Sequence, residues 1–474
     1  MTYETIIGLE VHIELATVTK IFCGCPTLFG QPPNTQCCPV CLGLPGSLPV
    51  LNRTVLLYSL RACLATGCSI TPLTRFDRKN YFYPDLPKAY QITQWYQPVG
   101  QNGQLRLPGS GRLIGIREIH MEEDAGKLIH DDEHDCTLID YNRSGVPLLE
   151  IVSQPELRSA DEALLFLETL RRTLIFTGIS DCRMQEGSLR ADVNVSVRPA
   201  GSSSLGTRTE IKNLSSYKAI GRAILSESKR QADLLRSGRP VRQETRRWDE
   251  DKNTSRAMRS KEEAGDYRYF PDPDLAVIPI DADWLQSIRA SLPEMPGAKQ
   301  ERFRAMYALT DHEADLLTSD PVLAKLFEDA AALSGRAKET ATWIMGELLQ
   351  ICKKRSCHPG DLDLAAADLA TIVTQVAEGR INRGSGRDVL IAVVDRGADP
   401  VAYIRKQDLH LIDQPDELEK LVAETLRTHQ QAVFDFRSGK EKTLIYLVGQ
   451  VMRCSKGKAD PQAVTALLKE FLQN

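Results

Sequence analysis

Three separated stretches of this chain alternate ionisable and apolar residues with a period of two. Side chains alternate across a strand, so this pattern describes a β-sheet with one polar face and one greasy face. In Arg117-Glu-Ile-His-Met-Glu-Glu-Asp124, the residues Glu118, His120, Glu122 and Asp124 share one face and Glu123 takes the other. In Glu4-Thr-Ile-Ile-Gly-Leu-Glu-Val-His-Ile-Glu-Leu15, it is Glu10, His12 and Glu14 that share a face. Arg190, Asp192, Asn194 and Ser196 alternate with Ala191, Val193, Val195 and Val197. Glu150 interrupts a further apolar run, Val146-Pro-Leu-Leu-Glu-Ile-Val152. Carboxylates crowded on neighbouring strands repel one another. They are tolerable where a cation binds or where the face is simply wet, and the pattern alone leaves both readings open.

The rest of the chain sets the frame. Its 474 residues suffice for roughly two to four domains, and a net charge of −4 excludes a wholly basic nucleic-acid coat protein. No apolar run reaches the ~18 residues of a membrane span, and the N-terminus resembles neither a secretory signal nor a transit peptide, so a cytoplasmic location is expected. Strand patterns dominate up to residue 292 and helical periodicity follows, with a linker expected around 405–413. This predicts an α+β chain with regions 1–292, 293–408 and a small helical tail at 409–474. A capping box, Ser159-Ala-Asp-Glu162, opens a predicted helix over 159–177.

Five of the twelve cysteines crowd into residues 23–41. Cys23-Gly-Cys25 and Cys38-Pro-Val-Cys41 present four thiolates in two tight pairs, the donor set of a structural Zn²⁺, with Cys37 a spare fifth thiol. Free buried thiols are the alternative. The segment Arg78-Lys-Asn-Tyr-Phe-Tyr-Pro-Asp-Leu-Pro-Lys-Ala-Tyr-Gln91 interleaves aromatic and basic residues in a proline-bounded loop, a composition suited to RNA or nucleotide, or to packing on the core. Arg246, Arg247, Arg256, Arg259 and Arg268 suit phosphate or surface ion pairs. Arg437, Lys440, Lys442, Arg453, Lys456 and Lys458 give the tail a basic cluster that either grips RNA or is solvated. No P-loop, dinucleotide fingerprint or serine-nucleophile signature occurs in the sequence. Carboxylates with a His suit Mg²⁺ or Mn²⁺, and with Arg and Lys nearby they are the equipment of phosphoryl transfer.

A set of longer motifs carries a resemblance. Gly8-Leu-Glu-Val-His12, Lys79-Asn-Tyr-Phe-Tyr-Pro-Asp-Leu-Pro-Lys88, His120-Met-Glu-Glu-Asp-Ala-Gly-Lys127, Gln185-Glu-Gly-Ser-Leu-Arg190, Gln243-Glu-Thr-Arg-Arg247, Asp266-Tyr-Arg-Tyr-Phe-Pro271 and the tail's Leu447-Val-Gly-Gln450 run in order along the chain. Together they resemble the B subunits of the glutamine-dependent aspartyl/glutamyl-tRNA(Asn/Gln) amidotransferases. Gly384-Ser-Gly-Arg387 departs from the Ala-Lys usual in that family.

The resemblance implies a mainly antiparallel-sheet cradle of the glutamine synthetase/guanido kinase type, followed by the helical domain and a tRNA-binding tail. It implies ATP-dependent transamidation of misacylated Glu-tRNA(Gln) and/or Asp-tRNA(Asn), with Mg²⁺ and a structural Zn²⁺. The partners it implies are a glutaminase (the A subunit), which channels ammonia, a small C subunit, and the acceptor and elbow regions of tRNA. Carried over residue by residue, Glu10, His12, Glu123 and Glu150 become the expected Mg²⁺ ligands, with Glu122 the alternative to Glu123 that strand parity prefers. Lys79, Tyr81, Lys88 and Asp192 fall at channel or substrate-end positions. Arg190, Lys212, Arg246 and Arg247 are expected at the ATP phosphates or the tRNA end. A non-catalytic tRNA-binding scaffold is the alternative reading, and it predicts erosion of Glu10, His12 and Glu150, all of which are present.

Overall fold

The computed structural model describes residues 2–131, 133–260, 267–412, 415–455 and 458–473. Asp266, Asp413 at the end of the expected linker, and Lys456 lie outside them, as does the side chain of Arg259. The chain divides into two compact units, Met1–Pro296 and Gly297–Asn474.

The first unit threads strand β1 (Tyr3–Glu14), helix α1 (Arg53–Ala65), and strands β2 (Ser69–Ile70), β3 (Leu73–Thr74), β4 (Asp77–Asn80), β5 (Tyr90–Thr93), β6 (Gly100–Arg106) and β7 (Leu113–Glu123). It continues through β8 (Lys127–Asp131), β9 (Cys136–Asp140), β10 (Pro147–Ser153), α2 (Ala160–Phe176), β11 (Leu189–Pro199), β12 (Thr209–Lys212) and α3 (Tyr217–Arg236). Strands β13 (Glu244–Asp249), β14 (Thr254–Ser260), β15 (Phe270–Pro271) and β16 (Ile278–Pro279) precede α4 (Ala282–Ser291).

Nine strands form one sheet in the order β14-β13-β12-β11-β1-β10-β7-β6-β2. Every pairing in it is antiparallel except β12 with β13. The N-terminal strand sits at its middle, so residues distant in sequence become lateral neighbours.

The two faces of the sheet are sorted as the alternation demands. Ile7, Leu9, Val11 and Ile13 of β1 are fully buried, together with Ile119 and Met121 of β7 and Val193 and Val195 of β11. They pack with Phe166, Leu167, Leu170 and Leu174 of α2 and Ile220, Ala223 and Ile224 of α3. Each of these side chains larger than alanine contributes roughly 1.5–3 kcal/mol by leaving water. A one-residue slip would exchange this whole set for Glu10, His12 and Glu14, so the register is strongly specified.

Helix α2 is capped as Ser159 suggests, its hydroxyl accepting from the Glu162 amide at 3.1 Å. The reciprocal half of the box differs: Glu162 accepts from the Arg158 amide at 2.8 Å and pairs with Arg112 instead.

The second unit is helical. Helix Ala337–Trp343 runs through a π turn, Ile344–Leu348, into Leu349–Arg355. The buried Glu347 on that turn binds Arg387 at 2.6 Å and Arg383 at 3.2 Å, so the atypical Gly384–Arg387 segment has a packing partner. Helix Pro400–Lys406 extends into the expected linker. Within residues 415–473, Leu418, Val422, Leu447, Val451, Val464 and Leu468 form an apolar cluster of their own. No described helix is long and apolar enough to cross a membrane.

Candidate functional site

The polar face of the nine-stranded sheet aligns its charged residues in rows perpendicular to the strands. His120 on β7 stands opposite Glu150 on β10, Glu150 opposite His12 on β1, and His12 opposite Arg190 on β11. His12 Nε2 lies 3.4 Å from both Glu150 Oε2 and Glu122 Oε1, and His120 Nε2 lies 3.4 Å from Glu150 Oε1. In the next row Glu10 stands opposite Asp192, and Lys212 Nζ reaches Asp192 at 2.5 Å and Glu210 at 2.9 Å. Three overlapping donor sets result: Glu10, His12 and Glu150; His120, Glu122 and Glu150; Glu10, Asp192 and Glu210. Within each set one ligand atom per residue lies within 4.8 Å of the others. An octahedral Mg²⁺ at ~2.1 Å from its donors separates them by about 3–4.2 Å, so small side-chain movements would close any of these sets on a hard cation.

The electrostatics show how the crowd of carboxylates is offset. Burial, then the charge of Glu150, pushes Glu10 up to about 7. Burial alone would lower His12, but hydrogen bonding to Glu122 and Glu150 holds the imidazole protonated well above its ordinary range. His120 is raised in the same way, chiefly by Glu150. Against its own burial, Glu150 is held well below the usual carboxylate range by His120 and His12. Protons on the two imidazoles thus supply positive charge that a divalent cation would replace.

Glu10, His120, Glu122, Glu150, Glu210 and Lys212 of these rows form one wall of a cavity of about 1380 Å³. Lys79, Tyr81, Lys88, Arg208, Tyr267 and Tyr269 line other parts of it. Lys79 Nζ lies 5.1 Å from the Tyr267 ring centroid and 5.9 Å from that of Tyr81. Burial first, then Tyr267, Glu150, Glu122 and Glu10, raise the Tyr269 phenol well above its ordinary value.

Not every expected residue joins this wall. Glu123 points to the other face, as its parity requires. Its carboxylate takes Lys88 Nζ at 2.5 Å and the Ile92 amide at 2.8 Å, and it borders a separate small cavity with Cys23 and Cys41. Glu122, and not Glu123, meets His12. Arg190 lies in the His120–His12 row but is bound by Asp124 at 2.7 Å.

Arg246 stands opposite Ile211 on the helix-covered face, where Glu244 at 2.5 Å and the Ser255 hydroxyl and carbonyl, each at 2.7 Å, hold it. That removes it from the polar face. Arg247 stands opposite Lys212 and Arg256 on the polar face, exposed towards the sheet edge. His120 and Glu210 belong to the donor sets although sequence reasoning did not select them. The period-two run that contains His120 was the available signal.

The second cluster is the cysteine quartet. The sulfurs of Cys23, Cys25, Cys38 and Cys41 all lie within 4.8 Å of one another. A tetrahedral Zn²⁺ with 2.3 Å bonds separates its sulfurs by about 3.8 Å, so the donor set fits a closed structural site. Cys41 Sγ accepts from the Cys38 amide at 3.1 Å and from the fully buried Lys20 Nζ at 3.7 Å. Hydrogen bonding from Cys23 pulls the Cys41 thiol down to about 4, and burial first pushes Cys25 up to about 11. Cys37 stands apart and points to Asn142 Oδ1 at 3.9 Å.

A charged, imidazole-bearing sheet face beneath a large cavity, in a unit followed by a helical one, defines an enzyme class. The family models matching this chain describe it: a GatB/GatE catalytic domain over residues 5–286 and a GatB domain over 325–472. A relative in Lachnoclostridium phytofermentans, named as the B subunit of an aspartyl/glutamyl-tRNA(Asn/Gln) amidotransferase, is 48% identical over 472 residues, with 99% of each chain covered. The relative of the same name in Caldicellulosiruptor saccharolyticus is 47% identical over 478 residues, with 100% of each chain covered. The chain belongs to the family of aspartyl/glutamyl-tRNA(Asn/Gln) amidotransferase B subunits.

Proposed function

We propose that this chain binds misacylated Glu-tRNA(Gln) and/or Asp-tRNA(Asn), phosphorylates the aminoacyl side-chain carboxylate with ATP, and amidates it to Gln-tRNA(Gln) or Asn-tRNA(Asn). The observation that carries this reading is the join of Glu10, His12, Glu122 and Glu150 to a basic margin of Lys212, Arg208 and Arg247 at and beside one cavity. A carboxylate is a poor acyl donor at neutral pH, and phosphorylation converts its oxygen into a leaving group. When bound, Mg²⁺ or Mn²⁺ neutralises phosphate charge during the transfer.

Glu10, His12, Glu122 and Glu150 would hold that ion. His120 hydrogen-bonds Glu150 and keeps its carboxylate turned towards His12. Lys212, Arg208 and Arg247 receive the phosphates, and Arg190 orients Asp124. Lys79, beside Tyr81 and Tyr267, presents a cation to the carboxylate end of the aminoacyl group, Lys88 stays bound to Glu123 at the margin of the cavity, and the aromatic walls keep water from the acyl phosphate.

The open antiparallel sheet with an acidic face supports likeness to the glutamine synthetase/guanido kinase cradle, and it accounts for chemistry without a P-loop. In this reading the cradle spans 1–292, a helical domain 293–408, and the tail 409–474 grips the tRNA elbow while the acceptor end enters the cavity. Zn²⁺ in the Cys quartet is structural. The family name implies a multisubunit enzyme, and we assign a glutaminase (the A subunit) and a small C subunit as cytoplasmic partners. A non-catalytic scaffold has no need of three overlapping donor sets.

The reading is tested in the assembled enzyme by following ATP hydrolysis and amidation with misacylated tRNA while Mg²⁺ is titrated. Glu122→Gln is expected to lower turnover roughly a hundredfold and to raise the Mg²⁺ needed, with little change in unfolding midpoint. Glu123→Gln strands the buried Lys88 ammonium and is expected to cost about 3–5 kcal/mol of stability while leaving the Mg²⁺ requirement unchanged. The reverse pattern would overturn the ligand assignment. Absence of tRNA-dependent ATP hydrolysis in the wild-type enzyme would overturn the function.

A further inference from the structure

Of the four tryptophans, Trp95 alone lies more than half in solvent, at 54% exposure, whereas Trp248 and Trp343 are buried and Trp284 is partly covered. An exposed indole is ordinary on a loose loop, but this one is held rigidly. The backbone amides of Trp95 and Tyr96 both donate to Oδ2 of the fully buried Asp77, at 2.8 and 3.0 Å. The preceding Gln94 is buried and accepts from the Met121 amide at 3.0 Å. Met121 lies between His120 and Glu122, so Trp95 is fixed relative to the carboxylate–imidazole cluster.

The indole stacks on Tyr269 with ring centroids 4.4 Å apart and planes 9° from parallel. The Tyr96 hydroxyl donates to the Tyr269 carbonyl at 3.2 Å, which holds the second ring in place. Tyr267 meets Tyr269 edge-on at 5.9 Å. Trp95, Tyr267 and Tyr269 line the same cavity as Glu10, Glu122 and Glu150. A parallel pair of rings with an open end, clamped by its backbone, is a stacking platform for a further flat ring.

We propose that Trp95, backed by Tyr269, is the platform on which an adenosine stacks during the reaction. This rests on the proposed function, because both substrates there carry one: ATP, and the 3′-terminal nucleoside of tRNA to which the amino acid is esterified. A flat heteroaromatic base needs no specific hydrogen bond to be held this way, and its ribose or phosphates are then directed at the charged wall. Neither the acidic cluster nor the basic margin supplies an apolar surface for a base, and this stack does.

The test uses the full chain in its assembled enzyme, with equilibrium binding of ATP, of deacylated tRNA ending in CCA, and of the same tRNA ending in CC. Trp95→Ala is expected to weaken one ligand roughly ten- to hundredfold, and Trp95→Phe to restore most of that affinity. Loss confined to ATP assigns the platform to the nucleotide. Loss for CCA-ended but not CC-ended tRNA assigns it to the terminal adenosine. In the wild type the same ligand should quench the exposed indole's fluorescence. If both affinities stay within twofold of wild type, or if Trp95→Ala instead releases a partner protein from the complex, the platform assignment fails. Failure of the wild-type enzyme to bind ATP or tRNA would strike the proposed function itself, which separates the two results.

Discussion

Glu150→Gln is expected to abolish carboxylate activation while leaving the fold intact. Glu150 belongs to two of the three donor sets and stands between His120 and His12 in one row. Glutamine keeps its shape but not its charge. The row then loses the main anion facing His120 and one of the two that hold His12 protonated, and the proposed cation loses a shared ligand. Turnover of ATP with misacylated tRNA should fall about 10²–10³-fold. The unfolding midpoint should fall modestly, because the two imidazoles lose a partner and shed charge, while the remaining carboxylates lose a repulsive neighbour. Glu4→Gln is the matched control: it lies on the neighbouring strand β1 but pairs with Arg198 at 2.5 Å, away from the cavity. Wild-type turnover and Mg²⁺ requirement in Glu150→Gln would sink the assignment.

The other large effect is expected at the cysteine quartet. Cys41→Ser removes the sulfur that accepts from the Cys38 amide and from Lys20. Free energy from a structural zinc site is folding energy, so losing one thiolate should lower stability by several kcal/mol, on the order of a third or more of a small zinc site's binding energy. Zinc content per chain, measured after dialysis against chelator, should fall with it. Lys20→Met tests the same cluster from outside. A tetrathiolate with Zn²⁺ carries two negative charges, and the buried ammonium offsets one of them. The variant should retain less zinc than wild type under the same chelator. Unchanged zinc stoichiometry and midpoint in Cys41→Ser would overturn the assignment of this quartet as the zinc site.

Much of the site could be read from the chain because strands advertise their faces. The alternation in residues 4–15 and 117–124 predicted which side chains share a surface, and parity favoured Glu122 over Glu123. The Cys spacing likewise announced a quartet. Lateral order was not legible, because nothing local says that His12 pairs with Glu150, some 140 residues away, rather than with any other strand. The same parity argument separates Arg246 from Arg247, but it needs the strand to be recognised first, and that short run carries no apolar alternation to reveal it. Trp95 was missed for a related reason: its environment is made by Asp77 and Tyr269, which come from two other segments.

The lateral rows have an evolutionary consequence. Each row is assembled by backbone register across strands from β7 to β11, so the site is vulnerable to changes of length more than to changes of letter. One residue inserted in β10 ahead of Glu150 would move the carboxylate onto the greasy face and bring Leu149 between the two imidazoles. The same insertion in the connection between β9 and β10 would be absorbed without moving any ligand. Lineages descending from this chain should therefore tolerate drift in the lengths of their loops while holding the lengths of these strands fixed.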